Sequence, residues 1–241
     1  MATMKAVKPV PHRHLPKGVT ILYEDAEVLV VDKSSGLLTV KANYEKEQTA
    51  HQILTTYIRR GNARSRKQLF VVHRLDRETS GVLVFAKTFT ALEHLKRQWR
   101  GVTKRYLAVV HGVMAEKSGT ITSYLAENDE YEVASVQDPA KGKLAMTAYR
   151  VLKETPKRSL LEIELITGKK NQIRVHLSEK GHPIVNDNKY GKKENAWGPL
   201  ALHSRSLAFN HPVTGERMTF EAALPSFFES LFPAKKLQEG I

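Results

Sequence analysis

Hydrophobic and polar positions alternate in short blocks along most of the chain, and the blocks predict more strands than helices. Ile21 to Tyr23 and Val28 to Val31 read as two strands around a turn at Glu24 and Asp25, because branched apolar residues bracket one polar pair. Leu69 to Val72 and Val82 to Ala86 are short apolar runs with the character of buried strands. Tyr106 to Val113, Thr147 to Leu152, Leu160 to Ile166, Leu200 to Phe209 and Met218 to Phe220 complete the predicted strands. A helix is expected over 49–60, where Ile53, Leu54, Tyr57 and Ile58 fall at helical spacing before Gly61. A second opens at Thr90, with Glu93 completing a capping box and Leu92, Leu95 and Trp99 as the buried face. Gln172 to Lys180 reads as a third, stopped by Gly181, and Pro225 to Phe232 as a short last one.

Several strand-to-strand steps are too short for a crossover helix. That favours an α+β fold with a mixed, mainly antiparallel sheet and flanking helices over a doubly wound parallel one. Residues 19–232 show no internal repeat and no linker, and read as one domain. Residues 1–18 are Pro-rich, basic and aperiodic, a flexible arm, and 233–241 form a tail.

Composition narrows the classes. A chain of 241 residues with 41% hydrophobic and 26% charged residues can bury a full core without staples. It has no cysteine, which removes disulfides, thiolate nucleophiles and Cys-based metal sites, and fits a reducing, cytoplasmic setting. No apolar run approaches the ~18 residues of a membrane span. The N-terminal basic residues are not followed by an apolar run, so no secretory signal is expected.

Charge changes the picture most. The net charge is +13, and it is unevenly placed. Residues 59–105 carry 13 basic and 3 acidic side chains, residues 141–217 carry 15 and 7, and the stretch between them is acidic. Such a surplus points to a polyanionic partner, most often a nucleic acid. Arg59, Arg60, Arg64, Arg66 and Lys67 crowd into nine residues without an apolar stripe, so 59–67 reads as an exposed basic loop. There is no phosphate-binding loop, dinucleotide fingerprint or nucleophile elbow. The ten histidines show no paired metal-ligand spacing, so no metal is expected.

The remaining chemistry-bearing segment is His73-Arg74-Leu75-Asp76-Arg77-Glu78-Thr79-Ser80-Gly81, a polar turn between two apolar strands. A loop on a rigid scaffold is where catalytic groups tend to sit. The plain alternative is that Asp76 and Thr79 only bond the turn backbone. The wider stretch HRLDRETSGVLVFAKT resembles the signature of the RluA family of pseudouridine synthases. ILYEDAEVLVVDKSSGLLTV resembles that family's opening strands, KRYLAVVHG its second motif, TGKKNQIRVHLSEKGHPIVNDNKYG its third and LALHSRSLAFNHPVTGE its closing motif. The likeness runs over roughly 19–222 in four ordered motifs. Two departures stand out. Lys33-Ser34 replaces the usual Lys-Pro, and Gly168-Lys169-Lys170-Asn171 replaces the usual Gly-Arg-Thr-His before Gln172-Ile173-Arg174. No RNA-binding domain of the S4 type is expected ahead of the core.

The resemblance implies the pseudouridine synthase catalytic fold, with an active-site cleft across the sheet. It also implies isomerisation of uridine to pseudouridine in rRNA or tRNA, with no cofactor and no metal. It assigns Asp76 as the catalytic carboxylate, Tyr106 as the aromatic that stacks on the target base, and Arg174 as the basic partner. Arg74 is implied to fill the gap left by the extruded nucleotide. His73 and Leu202 are implied at the base pocket, Leu202 as an apolar wall. The loop residues Arg59, Arg60, Arg64, Arg66 and Lys67, with Lys169 and Lys170, are the expected phosphate contacts. Two routes stay open for Asp76, covalent attack or removal of the 2′ proton, and both start from an ionised carboxylate. A monomer is expected, since no long exposed apolar element is evident. The competing reading is an RNA-binding or chaperone protein on the same fold, without chemistry. The trio Asp76, Tyr106 and Arg174 discriminates, because a mere binder has no use for it.

Overall fold

A computed structural model describes residues 16–41, 48–62, 64–191 and 198–232. The expected basic arm lies outside the described residues apart from 16–18, and the expected tail 233–241 lies wholly outside them. Two compact units divide the chain, one of residues 1–102 and 208–222, the other of residues 103–207 and 223–241. Elements are numbered in chain order.

The first unit begins with the hairpin β1 (Val19–Glu24) and β2 (Val28–Lys33). Its turn is where the polar pair predicts it. Asp25 Oδ1 accepts the backbone N–H groups of Glu27 and Val28, both at 2.8 Å, an Asx-type turn in which a side chain stands in for backbone. β2 pairs antiparallel with β4 (Ser80–Ala86), from Val28 opposite Ala86 to Lys33 opposite Gly81. All seven residues of β4 are buried, which is why its sequence is a continuous apolar run without alternation. β3 keeps only Phe70–Val71 of the expected 69–72 strand, also antiparallel to β4.

Helix α1 (Ala50–Ile58) buries Ala50, Leu54, Tyr57 and Ile58, a 3.6-residue stripe, and starts at a capping box between Thr49 and Gln52. Helix α2 (Phe89–Gln98) corrects the sequence reading at its start. Thr88, not Thr90, is the N-cap, its hydroxyl accepting the Ala91 N–H at 3.1 Å. Thr88 has extended backbone, as a cap requires, whereas Thr90 already lies inside the helix. Leu92 and Leu95 are buried as expected, but Trp99 is half-buried in a 3-10 turn beyond the helix. β11 (Arg217–Glu221), paired with the end of β10, completes this unit.

The second unit holds β5 (Thr103–His111), β6 (Ser118–Glu127), β7 (Val133–Val136), β8 (Lys143–Thr155), β9 (Arg158–Leu165) and β10 (Leu202–Asn210) in the order β10-β5-β9-β8-β6-β7. β10 starts here and ends in the first unit. The pairings β5–β9, β8–β9, β6–β8 and β6–β7 are antiparallel, so the sheet has the predicted character. β6 and β7 were not expected. β6 reads SGTITSYLAE and is mostly exposed or half-buried, so no apolar pattern announces it. Helix α3 (Gln172–Glu179) runs where expected and ends at Gly181, whose φ of +85° suits a residue without Cβ. The last helix, α4, is Ser226–Ser230.

Candidate active site

Asp76 is half-buried in the turn between β3 and β4, with Leu75, Thr79 and Ser80 buried around it. The turn has little ladder of its own. Its backbone is gripped by the segment after β2. Thr39 Oγ1 donates to the Leu75 carbonyl at 2.7 Å and accepts the Leu75 N–H at 3.2 Å. The Gly36 N–H donates to the Arg77 carbonyl at 2.8 Å, and Ser35 Oγ to the Glu78 carbonyl at 2.6 Å. Gly36 has φ +86°, which brings its N–H round to face the turn without strain.

Lys33 ties the two segments together. It is fully buried, and its Nζ donates to the carbonyls of Ser34 at 3.0 Å, Leu37 at 2.7 Å and Arg77 at 3.1 Å. An ammonium has three N–H groups, and here each has a carbonyl. Burial pushes the Lys33 pKa down to about 8, opposed by the carboxylates of Glu78, Asp76 and Asp32. The turn bearing Asp76 is thus fixed from residue 75 to residue 78.

His73 serves the same scaffold. Its Nε2 accepts the Val84 N–H at 3.2 Å, and its ring lies 4.7 Å from that of Trp99. The ring so extends the β3–β4 ladder past Val71. Arg74 is exposed.

In the second unit, Tyr106 and Leu202 are buried near the starts of β5 and β10, Tyr106 opposite Ile163 on β9. Arg174 is not the surface arginine that a plain amphipathic helix would carry, being only 4% exposed. Asp187 grips it in a fork, Nε to Oδ2 and Nη2 to Oδ1, both at 2.8 Å. Asp187 Oδ1 also accepts the N–H groups of Lys189 at 3.0 Å and Tyr190 at 2.9 Å. Burial raises the Asp187 pKa, but Arg174 and the two amides outweigh it and hold the carboxyl below its ordinary value. The Tyr190 ring lies 5.4 Å from the Arg174 guanidinium carbon.

The start of α3 explains one departure in the sequence. Asn171 is left-handed, φ 52° and ψ 16°, a conformation that asparagine tolerates better than most residues, and its Oδ1 accepts the Tyr190 hydroxyl at 3.2 Å. Gln172 is buried with all its amide valences used. Oε1 accepts Thr167 Oγ1 at 2.8 Å and the Lys169 N–H at 3.0 Å, and Nε2 donates to the Met146 carbonyl and Thr147 Oγ1, both at 2.9 Å.

Residues 27–179 match the family model described as RNA pseudouridylate synthase. The chain belongs to the RNA pseudouridine synthases. An RNA pseudouridine synthase of Mycoplasma pneumoniae, itself uncharacterized, is 37% identical over 215 residues, which cover 86% of this chain and 67% of the relative. The ribosomal large subunit pseudouridine synthase D of Zymomonas mobilis is 32% identical over 241 residues, covering 93% and 75%. Among solved structures, the human protein RNA pseudouridylate synthase domain containing 4 is similar with a TM-score of 0.73 and 26% identity, covering 86% of this chain and 89% of that one.

The cations expected to meet RNA are unequal in this synthase. Arg60, Arg64, Arg66 and Lys67 are exposed, while Arg59 is half-buried and its Nε donates to the Lys67 carbonyl at 2.7 Å, closing the loop. Lys169 is half-buried. Lys170 is exposed but paired with Glu127, and its ammonium lies 5.4 Å from the centre of the Tyr131 ring. Among the described residues no cluster of three or more His, Asp or Glu is placed to hold a metal, and no helix is long and apolar enough to cross a membrane.

Sequence reading missed Lys33, Thr39, Asp187 and Tyr190 as supports of the site. Only Asp187 left a local trace, since an Asp ahead of Asn188, Lys189 and Tyr190 is an Asx-turn pattern. The others act on residues far away in the chain.

Proposed function

We propose that the synthase converts specific uridines of structured ribosomal or transfer RNA to pseudouridine, with Asp76 as the catalytic carboxylate. The N1–C1′ glycosidic bond breaks, the base turns, C5 bonds to C1′, the hydrogen at C5 leaves as a proton, and the freed N1 takes up a proton from solvent. Asp76 either attacks covalently or takes the 2′ proton. In both routes the target nucleotide must leave its stack, and Arg74, exposed beside Asp76, stacks where the base was. By their likeness to the family motifs, Tyr106 takes the role of the aromatic for the extruded uracil, Leu202 that of an apolar wall and Arg174 that of the basic partner of the catalytic carboxylate. His73 acts by holding the turn.

The observation that carries this reading is the grip on residues 75–78 by Lys33, Ser35, Gly36 and Thr39. A solvated surface turn has no need of a fully buried ammonium. A carboxylate that must meet one carbon of a ribose does, because a misplacement of about 1 Å costs on the order of 100-fold in rate. The ribosomal assignment takes its support from the name of the Zymomonas relative.

The test is tritium release from RNA transcribed with tritium at uridine C5, comparing wild type with Asp76→Ala. Release by wild type alone is expected, and fractionation of the RNA names the substrate. Release by both proteins removes Asp76 from the mechanism, and release by neither removes the activity.

A further inference from the structure

Phe89 is the first residue of α2 and is 63% exposed, an unusual place for a large apolar ring. It does not stand alone. Phe70 on β3 meets it edge to face, with ring centroids 6.1 Å apart and planes at 72°. Phe70 follows Lys67 by three residues, which limits the separation of their backbones to about 11 Å. The aromatic pair therefore adjoins the loop 59–67, which carries five cations.

The loop is built rather than slack. Arg60 and Gly61 take left-handed backbone, φ 51° and 72°, and reverse the chain after α1. Asn62 then organises the turn, its Oδ1 accepting the Arg64 N–H at 3.0 Å and its carbonyl the Ser65 N–H at 3.1 Å. Within its own stretch of chain the charge is of one sign. No Asp or Glu occurs anywhere between Glu47 and Asp76. Two carboxylates of another segment are already engaged: Glu24 accepts the Tyr57 hydroxyl at 2.9 Å and the Lys87 ammonium at 2.8 Å, and Glu27 accepts the Thr88 hydroxyl at 2.6 Å. The cations near α3 differ, since Lys170 already faces Glu127.

We propose that Phe89, supported by Phe70, is a stacking platform for an unpaired base of the RNA substrate, and that loop 59–67 holds the phosphates beside it. An exposed π-face suits any base, and cations at its side suit the backbone that carries it; this is the pairing by which single strands are bound without reading sequence. A base inside a duplex already has both faces stacked. The site therefore selects single-stranded RNA outside the target nucleotide, and it rests on the reading that RNA is the substrate.

The test uses fluorescein-labelled dodecaadenylate, which contains no uridine, and its duplex with dodecauridylate. Phe89→Ala should weaken binding of the single strand about tenfold and leave the slope of log K against log salt unchanged, because no phosphate contact is lost. Phe89→Trp should restore binding, with its indole fluorescence quenched by the RNA. Arg66→Ser should lower the salt slope by about 0.7, the single-strand value for one phosphate. The duplex should bind more weakly, with no effect of Phe89→Ala. Equal binding of the single strand by wild type and Phe89→Ala, or an equal loss on the duplex, overturns the platform. Tritium release by wild type is read separately, so a failed platform with intact release leaves the isomerase standing. A confirmed platform without release does the reverse.

Discussion

At the residue scale, two buried charges tie the stability of the synthase to pH. The Lys33 pKa is lowered from 10.5 to about 8 by burial. Between those values the unfolded chain binds a proton that the folded one does not, so this residue makes the protein more stable as pH rises through that window. Below it, burying the charge is a cost already incurred. Relative to Lys33→Met, wild type should gain about 3 kcal/mol from pH 8 to pH 10.5, taking 1.36 kcal/mol per pKa unit. Urea unfolding of both proteins across that range measures it, and a pH-independent difference refutes the assignment. Asp187 has the opposite chemistry. Its pKa is lowered, so its contribution is present above the ordinary carboxyl value of 3.8 and is lost as pH falls through the lower folded value. Asp187→Ala removes the two-bond fork from the buried Arg174 guanidinium and should cost about 3–5 kcal/mol at pH 7. It should also flatten the acid limb of the stability curve in the same unfolding experiment. Neither residue's part was legible beforehand, because the carbonyl of Arg77 lies 44 residues from Lys33 and the Arg174–Asp187 fork spans 13. Asp76 and Arg174 could be singled out beforehand because each lies in a short continuous motif.

At the scale of elements, what the sequence conveyed depended on whether an element's cause is local. α1 is local in every respect, with its apolar stripe, its cap and a left-handed stop all within thirteen residues, 49–61. α2 shows the limit of that reasoning. Thr88 and Thr90 are both plausible caps by composition, and three residues beyond Thr90 a glutamate strengthens the wrong one. The choice is made elsewhere, by the β4 strand end at Ala86 and by Glu27, which accepts the Thr88 hydroxyl. Thr88→Ala should therefore cost about 1 kcal/mol, while Thr90→Ala, at an exposed helical position, should stay within about 0.5 kcal/mol. Thermal unfolding of the two variants decides it, and equal losses return the cap to Thr90. β6 and β7 were invisible for a different reason. β6 exists because its backbone pairs with β8, from Ser118 opposite Arg150 to Leu125 opposite Lys143, and such pairing leaves no mark in a Ser, Gly and Thr-rich segment. β7 is held likewise from outside, its Val133 N–H by the Tyr190 hydroxyl at 3.2 Å and its Ser135 N–H by Glu179 at 2.9 Å.

At the scale of the whole molecule, a net charge of +13 overstates the charge offered to RNA. The count treats every cation alike, whereas the structure sorts them into those already paired and those set among like charges. Lys170 is paired with Glu127, Lys180 with Glu116, Lys117 with Glu154 and Arg150 with Glu162. Each must give up a carboxylate before it can neutralise a phosphate, and the carboxylate it leaves then repels the same RNA. The loop 59–67 has no such competition within its own stretch of chain. Neutralising its five cations should therefore raise KM and lower the salt slope of RNA binding by up to about 4, at roughly 0.7–0.9 per phosphate contact. Lys170→Ala should change that slope by less than 0.7, because the counterion it releases is offset by the freed Glu127. Glu127→Gln separates the two effects. It removes the competitor, and in that background Lys170→Ala should recover the full change of one phosphate contact. If Lys170→Ala lowers the slope equally with and without Glu127, the pair does not restrain the lysine, and the +13 count is the better guide to how this synthase meets its RNA.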